Sequence, residues 1–229
     1  MRTLTIDIGG TGIKGIVLDV EGAPLTERHR ELTPQPALPE AVLATIDTIV
    51  QRLGEFDRIS IGFPGVVHEG VTKTAPNLHP SAWAGFPIAE NLSKRVGGKP
   101  VKVINDAAIQ GLGVIEGKGI ELVITLGTGL GCCVYTDGHP VHLELAHHPL
   151  KDDLTYEDLI GNAARKAVGK KKWNRRVRKA IAQMEALFNY RRIYIGGGNV
   201  KHLEKEALPG NATVFENVTG LLGGIRLWQ

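Results

Sequence analysis

The feature that most constrains this chain is a pattern it carries twice. Near the start, Ile6-Asp7-Ile8-Gly9-Gly10-Thr11-Gly12-Ile13-Lys14 runs an apolar alternation into a Gly-rich turn, and Gly15 to Val20 alternates out of it. That spacing predicts strand, tight turn, strand. About 116 residues later, Val123-Ile124-Thr125-Leu126-Gly127-Thr128-Gly129-Leu130-Gly131 repeats the design and runs on to Tyr135. The likeness continues outward. Asp19-Val20-Glu21-Gly22-Ala23-Pro24-Leu25 parallels Tyr135-Thr136-Asp137-Gly138-His139-Pro140-Val141, and Arg58-Ile59-Ser60-Ile61-Gly62 parallels Arg192-Ile193-Tyr194-Ile195-Gly196. A repeat of this size predicts two similar α/β halves.

The turns suggest a chemistry. Glycines let backbone N–H groups approach an anion closely. Asp7, at a strand end, can reach a divalent cation directly or through water, and Lys14 can reach phosphate. One such hairpin could equally be ordinary surface structure. Two of them, facing each other across a cleft, would grip a phosphoanhydride from both sides.

Between the turns, strands are expected at 3–8, 14–20 and 24–32. Prolines 34, 36 and 39 precede a helix at about 40–53, whose Val42, Ile46, Ile49, Val50 and Leu53 share one face. Strand 58–63 ends in Pro64-Gly65, at the carboxyl edge where open α/β sheets place ligands. Gly65 and, in the irregular loop 66–86, Asn77 are therefore candidate substrate contacts. Trp83 in that loop is read either as a sugar-stacking ring or as packing. A helix at 87–96 and a strand at 101–104 lead to Asn105-Asp106, and a helix at 107–116 follows. The second half reads as strands over 121–144, helices near 155–168 and 174–189, strands at 192–195 and 213–215, and a last helix. The domains are expected at 1–106 and 107–216, with helix 217–229 crossing back onto the first.

No run of about eighteen apolar residues appears, so no membrane span is expected. Met1-Arg2 leads straight into a strand, which argues against a signal peptide. The two cysteines, Cys132 and Cys133, are adjacent on a strand and point to opposite faces, which suits neither a disulfide framework nor a metal pair. A cytoplasmic location is expected. The formal net charge of +3 hides an asymmetry, because nine of the 27 Lys and Arg residues fall between Gly161 and Met184, a stretch with no acid. A basic segment on an otherwise acidic chain suggests a polyanionic ligand, although a solvated helix face would look the same. Lys171, Lys172, Arg175, Arg176 and Arg178 are its candidate contacts.

In this order and spacing, Asp7-Ile8-Gly9-Gly10-Thr11 with Lys14, Gly62-Phe63-Pro64-Gly65, Asn105-Asp106-Ala107, Leu126-Gly127-Thr128-Gly129-Leu130-Gly131, Glu144-Leu145-Ala146-His147 and Gly196-Gly197-Gly198 resemble the ROK sugar kinases. These belong to the actin-like, sugar-kinase and heat-shock ATPase superfamily. Lys171-Lys172-Trp173-Asn174-Arg175-Arg176-Val177 is similar to the polyphosphate glucokinase branch in particular. The resemblance implies two actin-like, ribonuclease H-like βββαβαβα domains with a cleft between them. It implies that Asp106 takes the proton from the sugar 6-hydroxyl and that Asn105, Glu144, His147 and Glu157 hold sugar hydroxyls. It places Asp7, Gly9, Gly10, Thr11, Lys14, Gly127, Thr128 and Gly129 on phosphate, with Mg²⁺ near Asp7, and Gly197 beside a nucleotide base. Local sequence alone offers Asp106 a second role, as cap of the helix that follows. Ala146 stands where the family usually has Gly, and Ala108 where Asp is frequent. The zinc-binding Cys cluster of many ROK proteins is absent, so no structural zinc is expected.

The leading expectation is a phosphotransferase moving a terminal phosphate from inorganic polyphosphate, and also from ATP, to glucose. The alternatives are a strictly ATP-dependent hexokinase and a sugar-binding protein without catalysis. A DNA-binding regulator is disfavoured, since the first phosphate strand begins by Thr3 and ROK repressors carry a helix-turn-helix ahead of it. Family resemblance favours a homodimer.

Overall fold

The computed structural model describes residues 1–143, 145–215 and 217–229, with backbone only at His142 and residues 217–221. The chain forms two compact units, Met1–Gly113 with Val218–Gln229, and Val114–Asn217.

The first unit contains β1 (Thr3–Ile8), β2 (Ile13–Leu18), β3 (His29–Glu31), α1 (Pro39–Leu53), β4 (Arg58–Phe63), the small hairpin β5 (Val67–His68) and β6 (Val71–Thr72), one-turn α2 (Pro80–Trp83), α3 (Ile88–Arg95), β7 (Val101–Asn105) and α4 (Asp106–Leu112). Its sheet runs β3-β2-β1-β4-β7. β2 pairs antiparallel with β1 and β3, while β4 is parallel to both β1 and β7.

Alternation along the strands gives this sheet two different faces. Leu4, Ile6, Ile8, Ile59, Ile61 and Phe63 build the apolar core with α1. Helix α1 starts at a Pro in its first turn and ends at Gly54, whose φ of 80° suits the end of a helix. It buries Val42, Leu43, Ile46 and Ile49, each worth roughly 1.5–3 kcal/mol of apolar burial. The other face carries the buried polar side chains Thr3, Thr5 and Ser60. Small residues of α7 (Asn217–Arg226) cover it: a Cβ on Gly224 would lie 2.2 Å from Thr5 Oγ1, and one on Gly223 would meet the Ile109 carbonyl of α4. Ser60 Oγ donates to the Gly224 carbonyl at 2.6 Å and accepts from Trp228 Nε1 at 2.7 Å. Arg58 and Lys102 flank the Trp228 ring.

The second unit contains β8 (Ile120–Leu126), β9 (Leu130–Thr136), β10 (His139–His142), the hairpin β11 (Pro149–Lys151) and β12 (Leu154–Thr155), α5 (Tyr156–Ile160), α6 (Asn162–Phe188), β13 (Arg192–Gly196) and β14 (Ala212–Val214). Its sheet order, β10-β9-β8-β13-β14, copies the first position for position. Between β13 and β14, however, two 3₁₀ turns (Val200–His202 and Lys205–Ala207) stand where the βββαβαβα pattern implied by the resemblance has a helix.

Other boundaries differ from expectation for identifiable reasons. Of the expected strand 24–32, His29–Glu31 forms a ladder with β2, and Pro24 adds only an isolated antiparallel bridge to Leu18. Before it, Asp19 folds the chain on itself by accepting the amides of Glu21 and Ala23. Helix α4 stops at Leu112 and belongs to the first unit, so the boundary falls after it rather than at Asp106. Beyond α4 the buried Glu121 carboxylate takes the amides of Glu116, Gly117 and Lys118, which a continuing helix would need for itself. The Tyr194 hydroxyl completes that cluster at 2.8 Å; burial first, and the carboxylate second, push its pKa up to about 12. Finally, the basic segment is helical throughout, broken only at Gly169, where φ is 76°.

Candidate active site

In the first unit, strand register lines up the candidates. Arg30 pairs with Lys14, Lys14 with Asp7, Asp7 with Gly62 and Gly62 with Ile104. Directly paired residues share a face, so Asp7 and Lys14 meet, with Nζ 2.9 Å from Oδ2 and both side chains part-buried. A Cβ on Gly62 would lie 3.3 Å from the Asp106 Cα and 2.6 Å from Ile109. Gly62 thus lets α4 settle on the face that carries Asp7, bringing Asp106 to the same carboxyl-end edge.

Asn105, not Asp106, caps α4. Its Oδ1 accepts from Ala107 N at 2.9 Å and Ala108 N at 3.2 Å, and its Nδ2 donates to the Gly65 carbonyl at 3.2 Å. The amide read as a sugar ligand is therefore engaged in building the site: it ties the β4 turn to the start of α4. Asp106 is the first helical residue, oriented by the Ala107 amide on its Oδ1 at 2.8 Å. Gly65 tolerates no side chain, since a Cβ would fall 2.0 Å from the Thr74 carbonyl.

The first glycine turn closes with Gly9 N donating to Gly12 O at 3.0 Å, and Thr33 Oγ1 donates to the Gly9 carbonyl. Asn77 lies against it, its carbonyl 3.2 Å from where a Gly10 Cβ would sit. Thr11 is exposed at its tip. Trp83 is fully buried between Phe63 and Phe86 and donates Nε1 to the Ala37 carbonyl, so it packs and does not stack on a ligand.

In the second unit the turn is one residue shorter, with Gly127 N donating to Gly129 O at 3.0 Å. Its surroundings are different. The Glu157 carboxylate leans on it, so that a Cβ on Gly129 would lie 1.9 Å from Oε2. The same oxygen accepts Leu130 N at 3.3 Å. Asn162 N, at the start of α6, donates to the exposed Thr128 through its carbonyl at 3.2 Å. Asn199 holds the rear, donating Nδ2 to Gly127 O and N to Leu126 O, each at 2.9 Å. Gly197, with φ of 94°, lies so close to Leu126 that a Cβ would come within 2.4 Å of its carbonyl. His147 is exposed at the end of a 3₁₀ turn, and Glu144 lies outside the described residues.

The basic helix separates into two groups. Arg178 pairs with Glu204 at 2.9 Å, and Arg176 donates to the Leu159 carbonyl at 3.3 Å. The balancing acid thus comes from a segment remote in sequence. Lys171, Lys172 and Arg175 are exposed and make no ion pair among the described residues. Trp173 and Asn174 are buried: Trp173 Nε1 donates to Ile160 O, while Asn174 bonds Lys170 O, His202 O and Glu204 N. Burial, then the nearby charges of Arg165, Lys201 and Lys170, lower the His202 pKa.

Three residues escaped the sequence reading. Asn199 and Glu121 sit in stretches with no motif of their own. Arg30 was hidden because the alternation around it is weak, and its register with Lys14 emerges only in the fold.

Residues 3–149 match the ROK family. Over 95% of its length the chain is 30% identical to a polyphosphate glucokinase of Mycobacterium tuberculosis, of which it covers 88%. It superposes on an inorganic polyphosphate/ATP-glucomannokinase from Arthrobacter sp. strain KM with a TM-score of 0.87 and 32% identity, covering 100% of this chain and 99% of that one. A ROK family glucokinase from Streptomyces griseus shares the fold at a TM-score of 0.79 and 21% identity, over 99% of both chains. This chain belongs to the ROK family and has the actin-like fold.

Proposed function

We propose that this protein is a polyphosphate-dependent glucokinase that also accepts ATP. What carries the reading is likeness along the whole chain to enzymes named for polyphosphate and a hexose. Asp106 removes the proton from the glucose 6-hydroxyl; the oxygen then bonds to the terminal phosphorus as the anhydride bond breaks, and the shortened polyphosphate leaves with the negative charge. Asn105 acts by holding Gly65 and the first turn of α4 in place. Glu144, His147 and Glu157 hold sugar hydroxyls. The two glycine turns and Lys14 take phosphate oxygens, and Lys171, Lys172 and Arg175 take the outer polyphosphate.

Mg²⁺ fits the residues present. Asp7 gives Lys14 one oxygen and has a second to offer, and no group of three His, Cys, Asp or Glu among the described residues forms a dedicated cage. An ion that keeps its waters and is bound through one or two carboxylates plus the donor's own phosphates suits that arrangement. It would offset charge developing on the phosphates. Among the described residues no helix is long and apolar enough to cross a membrane, and we take the protein to be a cytoplasmic homodimer that does not bind DNA.

The test is glucose 6-phosphate formation, coupled to a dehydrogenase, with long polyphosphate and with ATP, each with Mg²⁺ and with excess chelator. Turnover with polyphosphate that is lost on chelation is expected. Turnover with ATP alone would replace the reading by an ATP-dependent hexokinase, and none with either donor would leave a sugar-binding protein.

A further inference from the structure

The row Arg30–Lys14–Asp7 across β3, β2 and β1 has an uneven charge balance. Asp7 and Lys14 neutralise one another at 2.9 Å. Arg30, next in register, makes no ion pair among the described residues and is exposed. Neighbours of Arg30 along the strand point to the opposite face, where His29 and Glu31 pair with each other at 2.6 Å. The guanidinium does not drift into solvent. It lies on Gly12, where a Cβ would come within 2.6 Å of Nε and 2.7 Å of Nη2, and it donates Nη2 to the Thr11 carbonyl at 3.1 Å. One of its five N–H groups is thereby spent on holding the fork over the rim of the turn.

We propose that Arg30 is a further cation that binds the donor's phosphate at the first glycine turn, beside Lys14, whose charge is already shared with Asp7. This deepens the kinase reading and rests on it. A guanidinium presents a planar pair of donors to phosphate oxygens, which a lysine already bound to a carboxylate cannot match. Gly12 then has a second duty besides the turn: any side chain there would lift the guanidinium away.

The experiment uses Arg30→Gln and Arg30→Lys, with two readouts. One is the set of KM values for polyphosphate, ATP and glucose. The other is calorimetric binding of inorganic tripolyphosphate to the free protein at several salt concentrations. Loss of a charge-assisted contact should weaken tripolyphosphate binding and raise both donor KM values about ten- to hundred-fold. The glucose KM should stay within about two-fold, the salt dependence should become shallower by roughly one counterion, and Arg30→Lys should recover part of the affinity. Unchanged tripolyphosphate binding in Arg30→Gln would overturn the proposal. So would donor and glucose KM values rising together with no recovery in Arg30→Lys, the result expected of a clamp that merely shapes the turn. Should the wild type phosphorylate glucose with neither donor, the kinase reading falls, and the tripolyphosphate titration still decides the role of Arg30.

Discussion

The two glycine turns stand at equivalent places in two sheets of identical strand order, yet they present opposite charge. The first has Lys14, Asp7 and Arg30 in a row beside it. The second has the Glu157 carboxylate against Gly129, an amide from the start of α6 on Thr128, and Asn199 behind. Duplication reproduced the backbone; the elements packed onto each turn decided its chemistry. A lone carboxylate repels phosphate, so the second turn suits a task in which Glu157 faces sugar hydroxyls while the backbone amides serve the anion.

The largest expected effect tests whether the first unit alone holds the proton acceptor. Asp106→Asn should lower kcat on the order of 10²–10⁴-fold with little change in glucose binding. Because Asn105 already caps α4, the variant's melting temperature should hardly move. Near-normal kcat would end the assignment.

Next, alanine can be placed at two glycines of the second turn. Gly129→Ala must push the Glu157 carboxylate aside, whereas a Cβ on Gly127 meets nothing within 4 Å. Gly129→Ala should raise the glucose KM about ten- to hundred-fold, the cost of a hydrogen bond to a charged group, and Gly127→Ala should leave the glucose KM near wild type. A rise in donor KM instead of glucose KM would show that Glu157 serves the donor rather than the sugar and erase the contrast drawn between the turns.

A smaller effect separates the basic residues. Lys171→Glu with Arg175→Glu should raise the KM for long polyphosphate about tenfold and leave glucose unaffected. Arg178→Ala removes a half-exposed ion pair with Glu204, worth less than about 1 kcal/mol, and should change stability slightly and donor affinity least. Equal loss in both variants would mean that the Glu204 pair is not what sets Arg178 apart.

The smallest effect is a titration. Burial and three neighbouring cations hold the His202 pKa below its usual 6.5. Between the two values the unfolded chain binds a proton that the folded one refuses, so stability falls as pH drops through about 6.5. Bound polyphosphate should reverse this by raising the His202 pKa, read by NMR. A free-protein value at or above 6.5 would exclude the cationic surroundings described.

What could be read from sequence was whatever depends on local pattern. The alternation of Leu4, Ile6 and Ile8, the stripe of α1 and the two glycine turns each announce themselves within a dozen residues, and the pairing of the two copies gave the sheets. The site was legible where a motif marks a strand end, as at Asn105-Asp106. It was illegible where function depends on register between strands, as for Arg30 and Lys14, or on a partner far along the chain, as for Arg178 and Glu204. The capping role of Asn105 could not be separated from Asp106 by composition, since both residue types cap helices well. Only geometry divides the two.

The return of the last dozen residues, Val218–Gln229, to the first unit has a consequence for synthesis. A ribosome releases the first sheet long before its cover exists, because all of Val114–Asn217 must be made in between. During that interval the face awaiting α7 stands in water. It bears Thr3, Thr5, Ser60 and Gly62 beside Ile16 and Leu18, which await Ile225 of α7, while Leu4, Ile6, Ile8, Ile59 and Ile61 are already sealed under α1 on the opposite side. A nascent chain waiting with hydroxyls beside only two aliphatic side chains exposes far less apolar surface than the α1 face would. The hydroxyls on this buried sheet face limit the apolar surface that waits for a late-arriving cover.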